Sequence, residues 1–331
     1  MENDKWVPLE VDPYVATQII KQLQVKGVQV EELITMQPSD LQPLGALYGI
    51  SIILAIDYIK LKSEANPIKM DLYFCQQILY NAPLPHSILS VLLNIEGIGL
   101  PLELVHYKEF VKDISPEARE VVINELQTLK AICNSFYTPE IQNGGHKPGP
   151  MHSFITLIPY KGKIYELNSM EQYVKLICEY KGDWVESAKS RVEEIESECT
   201  RQNIAYHTLA FTVDRKEIAE ERLSKNKLLL VEIKNRLGMK PVLTEPIPNE
   251  LLKCIPNDHE KIEQMYKLLN EEIMQDEIII TSEQERYKLC KEEYNRRTYN
   301  YIPFIFNMLK MLSEKGKLQK AIDAAKNKQT K

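Results

Sequence analysis

Hydrolysis by a protein nucleophile requires a thiol or hydroxyl together with a base that activates it, and this chain offers few such pairs. Ser87 lies about one helical turn after Pro83, but no histidine has a spacing that would place an imidazole beside it. His152 and Ser153 are neighbours on a predicted strand, where adjacent side chains point to opposite faces. Cys75 has the sequence context of a small buried apolar residue. The spacing of these residues therefore indicates no intact pair of nucleophile and base.

A more specific signal is the segment from Gln77 to Pro83, which is followed by an apolar helical pattern over 88–94. This segment resembles the nucleophile segment of the UCH family of ubiquitin C-terminal hydrolases (peptidase C12). In that family a glutamine lies six residues before the catalytic cysteine, and the cysteine opens a buried helix. The helix N-terminus lowers the pKa of the thiol, and the glutamine donates to the oxyanion. Here Gln77 is retained, whereas Pro83 holds the cysteine position; proline suits a first helical turn but has no nucleophile.

The segment 151–168 resembles the histidine strand, the turn and the aspartate strand of the same family. In an alignment without a gap, the family histidine falls on Ser153 and the family aspartate on Asn168, and the fifteen-residue offset is kept. The resemblance implies that nucleophile, base and orienting acid are all replaced, at Pro83, Ser153 and Asn168. It also implies that Gln77 is a retained residue of the oxyanion type and that no catalytic residue is intact.

The fold class that the resemblance implies is α/β (α+β), with the papain-like UCH fold of helices around a central, mainly antiparallel sheet. The residue patterns predict strands within 47–59, 153–159, 163–168 and 206–213. They predict helices near 14–25, 69–80, 83–95, 101–112, 116–133 and 184–199. A stretch rich in Gly, Pro and Asn at 137–150 predicts a loop, in the place of the family's crossover loop above the active site.

Two domains are predicted: a UCH-like domain over residues 1–213 and a helical tail over 214–331. The tail pattern indicates helices over 214–237, 259–297 and 302–327. Several prolines at 238–258 indicate a linker between the first two of these helices.

The run from Lys291 to Ile305 is similar to a C-terminal extension, the ULD, of the proteasome-associated branch of the family. That extension carries the motif Arg-Arg-x-x-Asn-Tyr-x-Pro-Phe followed by a Leu-rich helix. The resemblance therefore implies a partner-binding surface at Arg296, Arg297, Tyr299, Asn300, Tyr301 and Phe304. The apolar spacing after Pro303 also predicts by itself a helical stripe that is buried against its own domain or against a partner helix; both alternatives stay open.

Composition predicts no metal and no cofactor, because the six cysteines (75, 133, 178, 199, 254 and 290) form no CxxC pair. The acidic N-terminus lacks the apolar stretch of a signal peptide, and no apolar run approaches the length of a spanning helix. We therefore expect a cytoplasmic and/or nuclear protein that does not contact a membrane.

Charge is distributed unevenly along the chain. Residues 1–213 contain 18 basic and 27 acidic residues, whereas residues 286–331 contain 12 basic and 4 acidic residues. A basic end indicates an acidic partner surface or nucleic acid, but a solvated helix face explains it equally well, and nucleic acid is not the expected partner.

Two functions compete. The favoured one is an inactive scaffold or regulatory subunit that docks through its tail onto a large assembly, with the proteasome regulatory particle as first candidate. In the relatives the tail binds the DEUBAD domain of a proteasomal ubiquitin receptor or of a chromatin-remodelling subunit, so a DEUBAD-type domain is the implied partner, and retention of ubiquitin binding stays open. The alternative is an active cysteine-type deubiquitinase that uses unorthodox residues, and a weaker one is a subunit of a chromatin-associated complex.

Overall fold

The computed structural model describes residues 6–7, 9–55, 72–77, 82–136, 152–239 and 248–329. These residues form two compact units, the first made of those up to Leu289 and the second of those from Cys290 onwards. The predicted crossover loop at 137–150 and residues 240–247 of the predicted linker (238–258) lie outside the described residues.

A six-stranded sheet, in which every pairing is antiparallel, forms the centre of the first unit. Its strands are β1 (Val28–Glu32), β2 (Leu47–Leu54), β3 (Ser153–Tyr160), β4 (Lys163–Asn168), β5 (Lys175–Glu179) and β6 (Tyr206–Val213). Their order across the sheet is β1-β6-β2-β3-β4-β5. The mainly antiparallel sheet and its four predicted strands are confirmed, whereas the two edge strands β1 and β5 were not predicted.

The helices include most of the predicted ones, with similar ends, and two short ones at 38–41 and 249–252 that were not predicted. They are α1 (Pro13–Gln22), α2 (Pro38–Leu41), α3 (Pro83–Leu92), α4 (Leu102–Phe110), α5 (Pro116–Val122), α6 (Gln127–Ser135), α7 (Trp184–Arg201), α8 (Arg215–Arg236), α9 (Asn249–Leu252), α10 (His259–Thr298), α11 (Ile302–Glu314) and α12 (Leu318–Gln329). Among the residues that the structure describes, no helix has both the length and the apolar character needed to cross a bilayer.

Three helix predictions need correction. The helix predicted over 69–80 is wrong at Leu72–Gln77, which are not helical because their backbone groups bond to distant segments, as described below. The helix predicted over 116–133 is divided at Leu126, whose ψ of 71° is not helical. The helix predicted over 302–327 is divided by a turn in which Gly316 has a φ of 63°, a conformation that favours glycine.

The two faces of the sheet are covered by different helices. On one face, α7 packs through Trp184, Ala188 and Val192 on a core that includes Ile52 and Ile155. On the other face, the fully buried helix α3 packs on β2 and β3. There Gly49 of β2 permits a close approach, since a Cβ at this position would lie 3.1 Å from Cγ2 of Val91. The sheet is therefore the middle layer, and α3 is buried along its whole length.

Helices α8 and α10 pack side by side within the first unit. Arg222 of α8 pairs with Asp276 of α10, a carboxylate that is fully buried. Further along, Leu229 and Ile233 of α8 share an apolar cluster with residues of α10. At the start of α8, Arg215 bridges Glu31 of β1 (2.6 Å) and Glu283 of α10 (2.8 Å). Charged contacts thus hold the helix pair on the edge strand.

The second unit contains the end of α10 together with α11 and α12. Not one residue of α11 is buried, and all its large apolar side chains except the half-buried Leu312 are exposed. The division between the units follows Leu289, whereas the sequence placed a domain boundary after residue 213. That boundary stays a prediction.

Candidate functional site

The segment Leu72–Gln77 approaches the start of α3 in a non-helical conformation that Arg119 of α5 fixes. The Arg119 guanidinium is buried and donates to four backbone carbonyls, among them that of Phe74 at 2.8 Å. The backbone N–H of Gln76 donates to the carbonyl of Pro116 at 3.1 Å. The segment is therefore held by α5 through contacts that are remote in sequence.

Gln77 ends this segment and joins it to the central sheet. Its backbone N–H donates to the carbonyl of Ser169 at 2.9 Å, and its side-chain amide donates to the carbonyl of His152 at 2.6 Å. The Oε1 atom of the same side chain is buried and has no hydrogen-bond partner among the described residues. One of the two N–H groups of the side-chain amide is therefore engaged by a backbone carbonyl.

Ser153 and Asn168 lie at the paired ends of β3 and β4. Asn168 is in register with Ile155, two residues after Ser153, and both predicted site residues are buried. The Asn168 side-chain oxygen accepts from the backbone N–H of Met170 at 3.1 Å. These positions form the wall beside Gln77, and their side chains provide a hydroxyl and an amide where the family has an imidazole and a carboxylate.

Pro83 is the first residue of α3 and is buried. One turn later, the His86 ring stacks on Phe154 of β3 with ring centroids 6.3 Å apart, which brings the start of α3 to the start of the histidine strand. His86 is fully buried, and its Nδ1 lies 2.6 Å from the carbonyl oxygen of Ala82. Burial lowers the pKa of the imidazole, so His86 is a neutral core residue.

The other candidate reactive groups are engaged in structural roles. Burial raises the pKa of the Cys75 thiol to about 12, so it is not a thiolate at neutral pH. The Ser87 hydroxyl donates to the carbonyl of Leu84 at 2.9 Å. His152 precedes β3, is half-buried, and accepts from Gln77 through its carbonyl. Within the described ranges, no group of three or more His, Cys, Asp or Glu side chains could hold a metal ion.

The predicted tail residues lie between and within α10 and α11. Tyr299 and Tyr301 are exposed and meet edge to face, with ring centroids 4.9 Å apart. The Asn300 side-chain oxygen accepts from the N–H of Ile302, the first residue of α11, at 2.9 Å. Arg296 pairs with Glu293, Arg297 is exposed, and Phe304 is 60% exposed. The motif thus presents three aromatic rings and two arginines on its surface.

Two residues that position the site were not predicted. Ser169 binds both Gln77 and Phe154, whose N–H donates to the serine hydroxyl at 3.0 Å. No sequence motif marks Arg119. Its role is visible only in the structure, where its carbonyl partners are identified.

This fold, an antiparallel sheet with helices on both faces and the buried helix α3 against one of them, defines an α/β protein of the UCH type. The sequence model described as "Ubiquitin carboxyl-terminal hydrolase, family 1" matches residues 6–197, and the one described as "Ubiquitin carboxyl-terminal hydrolases" matches residues 273–318. The chain therefore belongs to the family of ubiquitin carboxyl-terminal hydrolases, as the sequence resemblance predicted.

Similar proteins agree with this family and with its isozyme L5 branch. Ubiquitin carboxyl-terminal hydrolase isozyme L5 of Dictyostelium discoideum is 31% identical over 341 residues, which cover 98% of this chain and 96% of the relative. Ubiquitin carboxyl-terminal hydrolase ubh-4 of Caenorhabditis elegans is 24% identical over 327 residues, covering 97% of this chain and 91% of the relative.

A solved structure shows the same fold. The crystal structure of Trichinella spiralis UCH37 bound to ubiquitin vinyl methyl ester superposes with a TM-score of 0.54 at 21% identity. The match covers 83% of this chain and 99% of that one.

Proposed function

We propose that this chain is a catalytically inactive member of its family, a scaffold or regulatory subunit that docks through its tail onto a large assembly. The first candidate for that assembly is the proteasome regulatory particle. The observation that carries the proposal is Pro83 at the first position of the buried helix α3. A proline there keeps the helix start and removes the thiol.

The surroundings of Pro83 support inactivity. Removing the nucleophile or the base from a catalytic triad typically lowers kcat by about 10⁶-fold. Here Ser153 and Asn168 provide neither a base nor an orienting carboxylate, and Cys75 has a pKa near 12. Gln77, the retained residue, donates to the backbone carbonyl of His152.

The surface of the tail supports docking. Tyr299, Tyr301 and Phe304 are exposed beside Arg296 and Arg297, and aromatic and arginine side chains contribute most of the binding energy in many interfaces. The partner implied by the family resemblance is a helical DEUBAD-type domain of a proteasomal ubiquitin receptor. Such a subunit would act in the cytoplasm and/or the nucleus, and imaging of the tagged chain tests this location.

An activity assay tests the first half of the proposal. The purified full chain is incubated with a fluorogenic substrate derived from the ubiquitin C-terminus and with a thiol-directed ubiquitin probe. We expect no turnover and no adduct. Turnover that disappears in Cys75→Ala, Ser87→Ala or His152→Ala would instead establish the alternative, an active deubiquitinase with unorthodox residues.

Co-purification tests the second half. Tagged Phe304→Ala and Arg297→Ala variants should lose the assembly that the wild-type chain recovers, while their thermal melts stay unchanged. A matched control is Leu268→Ala, which removes a similarly exposed apolar side chain (60%) from α10 in the first unit. A chain ending at Leu289 should lose the assembly but keep the contacts of Arg215 with Glu31 and Glu283.

The outcome of co-purification also separates the alternatives. If both tail variants still recover the assembly and the fragment 1–213 binds it unaided, the docking surface lies outside the tail and the proposal is wrong. Recovery of chromatin-associated subunits in place of proteasome subunits would support the weaker alternative.

A further inference from the structure

A small cavity lies at the end of α3 that is opposite to Pro83. It has a volume of about 240 Å³ and is lined by the start of β2, the end of α3, the β3–β4 turn and Tyr180 after β5. Helix α3 contains ten residues, so at 1.5 Å per residue about 15 Å separate its two ends. The cavity is thus distinct from the degenerate site.

The walls of this cavity combine apolar and aromatic surface. Val91 and Ile158 contribute to an apolar floor and are buried. Tyr48, Tyr160 and Tyr180 are half-buried in the lining, so each exposes part of its ring to an occupant. Aromatic faces attract cations because of their quadrupole, and they also stack on planar guanidinium groups.

Two features add negative potential to the rim. Glu96 is exposed, and within the described residues its carboxylate has neither a hydrogen bond nor an ion pair. The C-terminal end of α3 at Leu92 also points its partial negative charge toward this region. In addition, residues 1–213 carry 27 acidic and only 18 basic residues, so the surrounding domain favours a cationic partner.

The structure already contains a cation on one of these rings. The ammonium of Lys161, in the β3–β4 turn, lies over the Tyr160 ring at 4.8 Å from its centroid. This contact shows that the rim accommodates a positive charge on an aromatic face. Lys161 would therefore compete with an external cation for the same region.

We propose that this cavity binds an arginine side chain presented by a partner polypeptide, with Glu96 as the charge partner and the tyrosine rings as stacking surfaces. The volume favours one side chain, because pockets for whole small ligands typically measure about 300–1,000 Å³. The planar guanidinium suits both the rings and a carboxylate, which an ammonium ion does less well. This inference does not depend on the proposed function of the tail.

Calorimetric titration of the full chain tests the proposal with the peptide acetyl-Ala-Ala-Arg-Ala-Ala-amide. The matched ligand contains citrulline, a neutral isostere of arginine. We expect the arginine peptide to bind at least about tenfold more tightly than the citrulline peptide, since a charge-assisted contact is lost in the latter. Equal affinity, or no binding of either peptide, would contradict the proposal. Agmatine, a small molecule with a guanidinium group, tests whether the guanidinium must belong to a polypeptide. Tighter binding of agmatine than of the arginine peptide would also contradict the proposal.

Two variants test whether the peptide binds in this cavity, and they should change its affinity in opposite directions. Glu96→Gln should weaken the arginine peptide by about five- to tenfold, whereas Lys161→Ala should strengthen it by removing the resident competitor. Glu125→Gln, which neutralises an exposed carboxylate on another surface, is the control and should change nothing. A loss of affinity in Glu125→Gln equal to that in Glu96→Gln would show that the peptide senses only overall charge. Lys161→Ala that weakens binding would equally overturn the assignment.

Discussion

The side-chain amide nitrogen of Gln77 lies 2.6 Å from the backbone oxygen of His152 and donates to it. This bond joins the segment before α3 to the residue that precedes β3. In the family resemblance Gln77 has an oxyanion role, but here its amide stabilises the fold. The retention of Gln77 therefore does not require that the chain retains catalysis.

The Gln77 bond predicts a stability effect. Gln77→Glu replaces the donor with an acceptor that faces a carbonyl, so the free energy of unfolding should fall by about 1–3 kcal/mol. Urea denaturation measures this change. The control is Gln127→Ala, because the Gln127 amide makes a similar bond of 2.6 Å to Asn124 on the exposed surface. Equal losses of unfolding free energy in both variants would show that the buried bond contributes no more to stability than the exposed one.

His86 predicts a dependence of stability on pH. Burial lowers the pKa of its imidazole in the folded chain, although the carbonyl of Ala82 and the carboxylate of Glu120 oppose this shift. The unfolded chain therefore takes up the proton first as pH falls below about 6.5, the ordinary histidine value. The stability that the neutral ring contributes is present above that pH and decreases below it, by at most about 1.4 kcal/mol per pH unit.

Denaturation at several pH values between 7.5 and 5 checks this effect. His86→Gln should flatten the decrease below pH 6.5, whereas His106→Gln, at an exposed position of α4, should leave it unchanged. A wild-type slope that persists in His86→Gln would assign the effect to other groups.

The ion pair between Arg191 of α7 and Glu166 of β4 predicts that loss of its arginine lowers stability far more than loss of an exposed arginine. Both side chains are buried, and the guanidinium contacts both carboxylate oxygens, at 2.6 and 3.0 Å. Arg191→Met leaves a buried carboxylate without its partner and should cost about 3–5 kcal/mol of unfolding free energy. Arg201→Met removes the exposed pair with Glu198 on the same helix and should cost less than about 1 kcal/mol.

A double variant completes this test. Arg191→Met combined with Glu166→Leu should recover most of the stability, because no uncompensated charge is then buried. A double variant as unstable as Arg191→Met would mean that packing, and not charge, determines the loss.

Stepwise restoration of the three family triad residues should restore hydrolysis only when all three are present. Pro83→Cys alone should give no turnover of a fluorogenic ubiquitin substrate, since Ser153 provides no base for the thiol or for the leaving amine. Adding Ser153→His and Asn168→Asp should produce a small but measurable rate. Full activity of the single variant would show that another residue already serves as base.

The sequence alone determined the family, the sheet strands β2, β3, β4 and β6, and the start of α3 at Pro83. These features depend on local signals, namely alternating or helical apolar patterns, a proline at a helix start, and motifs with fixed spacing. The identities at 83, 153 and 168 are likewise read directly from the chain, and so is the absence of a thiol at position 83.

Only the tertiary structure decided how the residues around that position are used. The apolar pattern of Leu72–Gln77 favoured a helix, but Arg119, Pro116 and Ser169 bind its backbone and hold it in another conformation. The pairing of α8 with α10 and the rim of tyrosines around Glu96 also depend on residues far apart in the chain. Local periodicity cannot predict such contacts, because the free energy that selects them comes from hydrogen bonds and burial between distant segments.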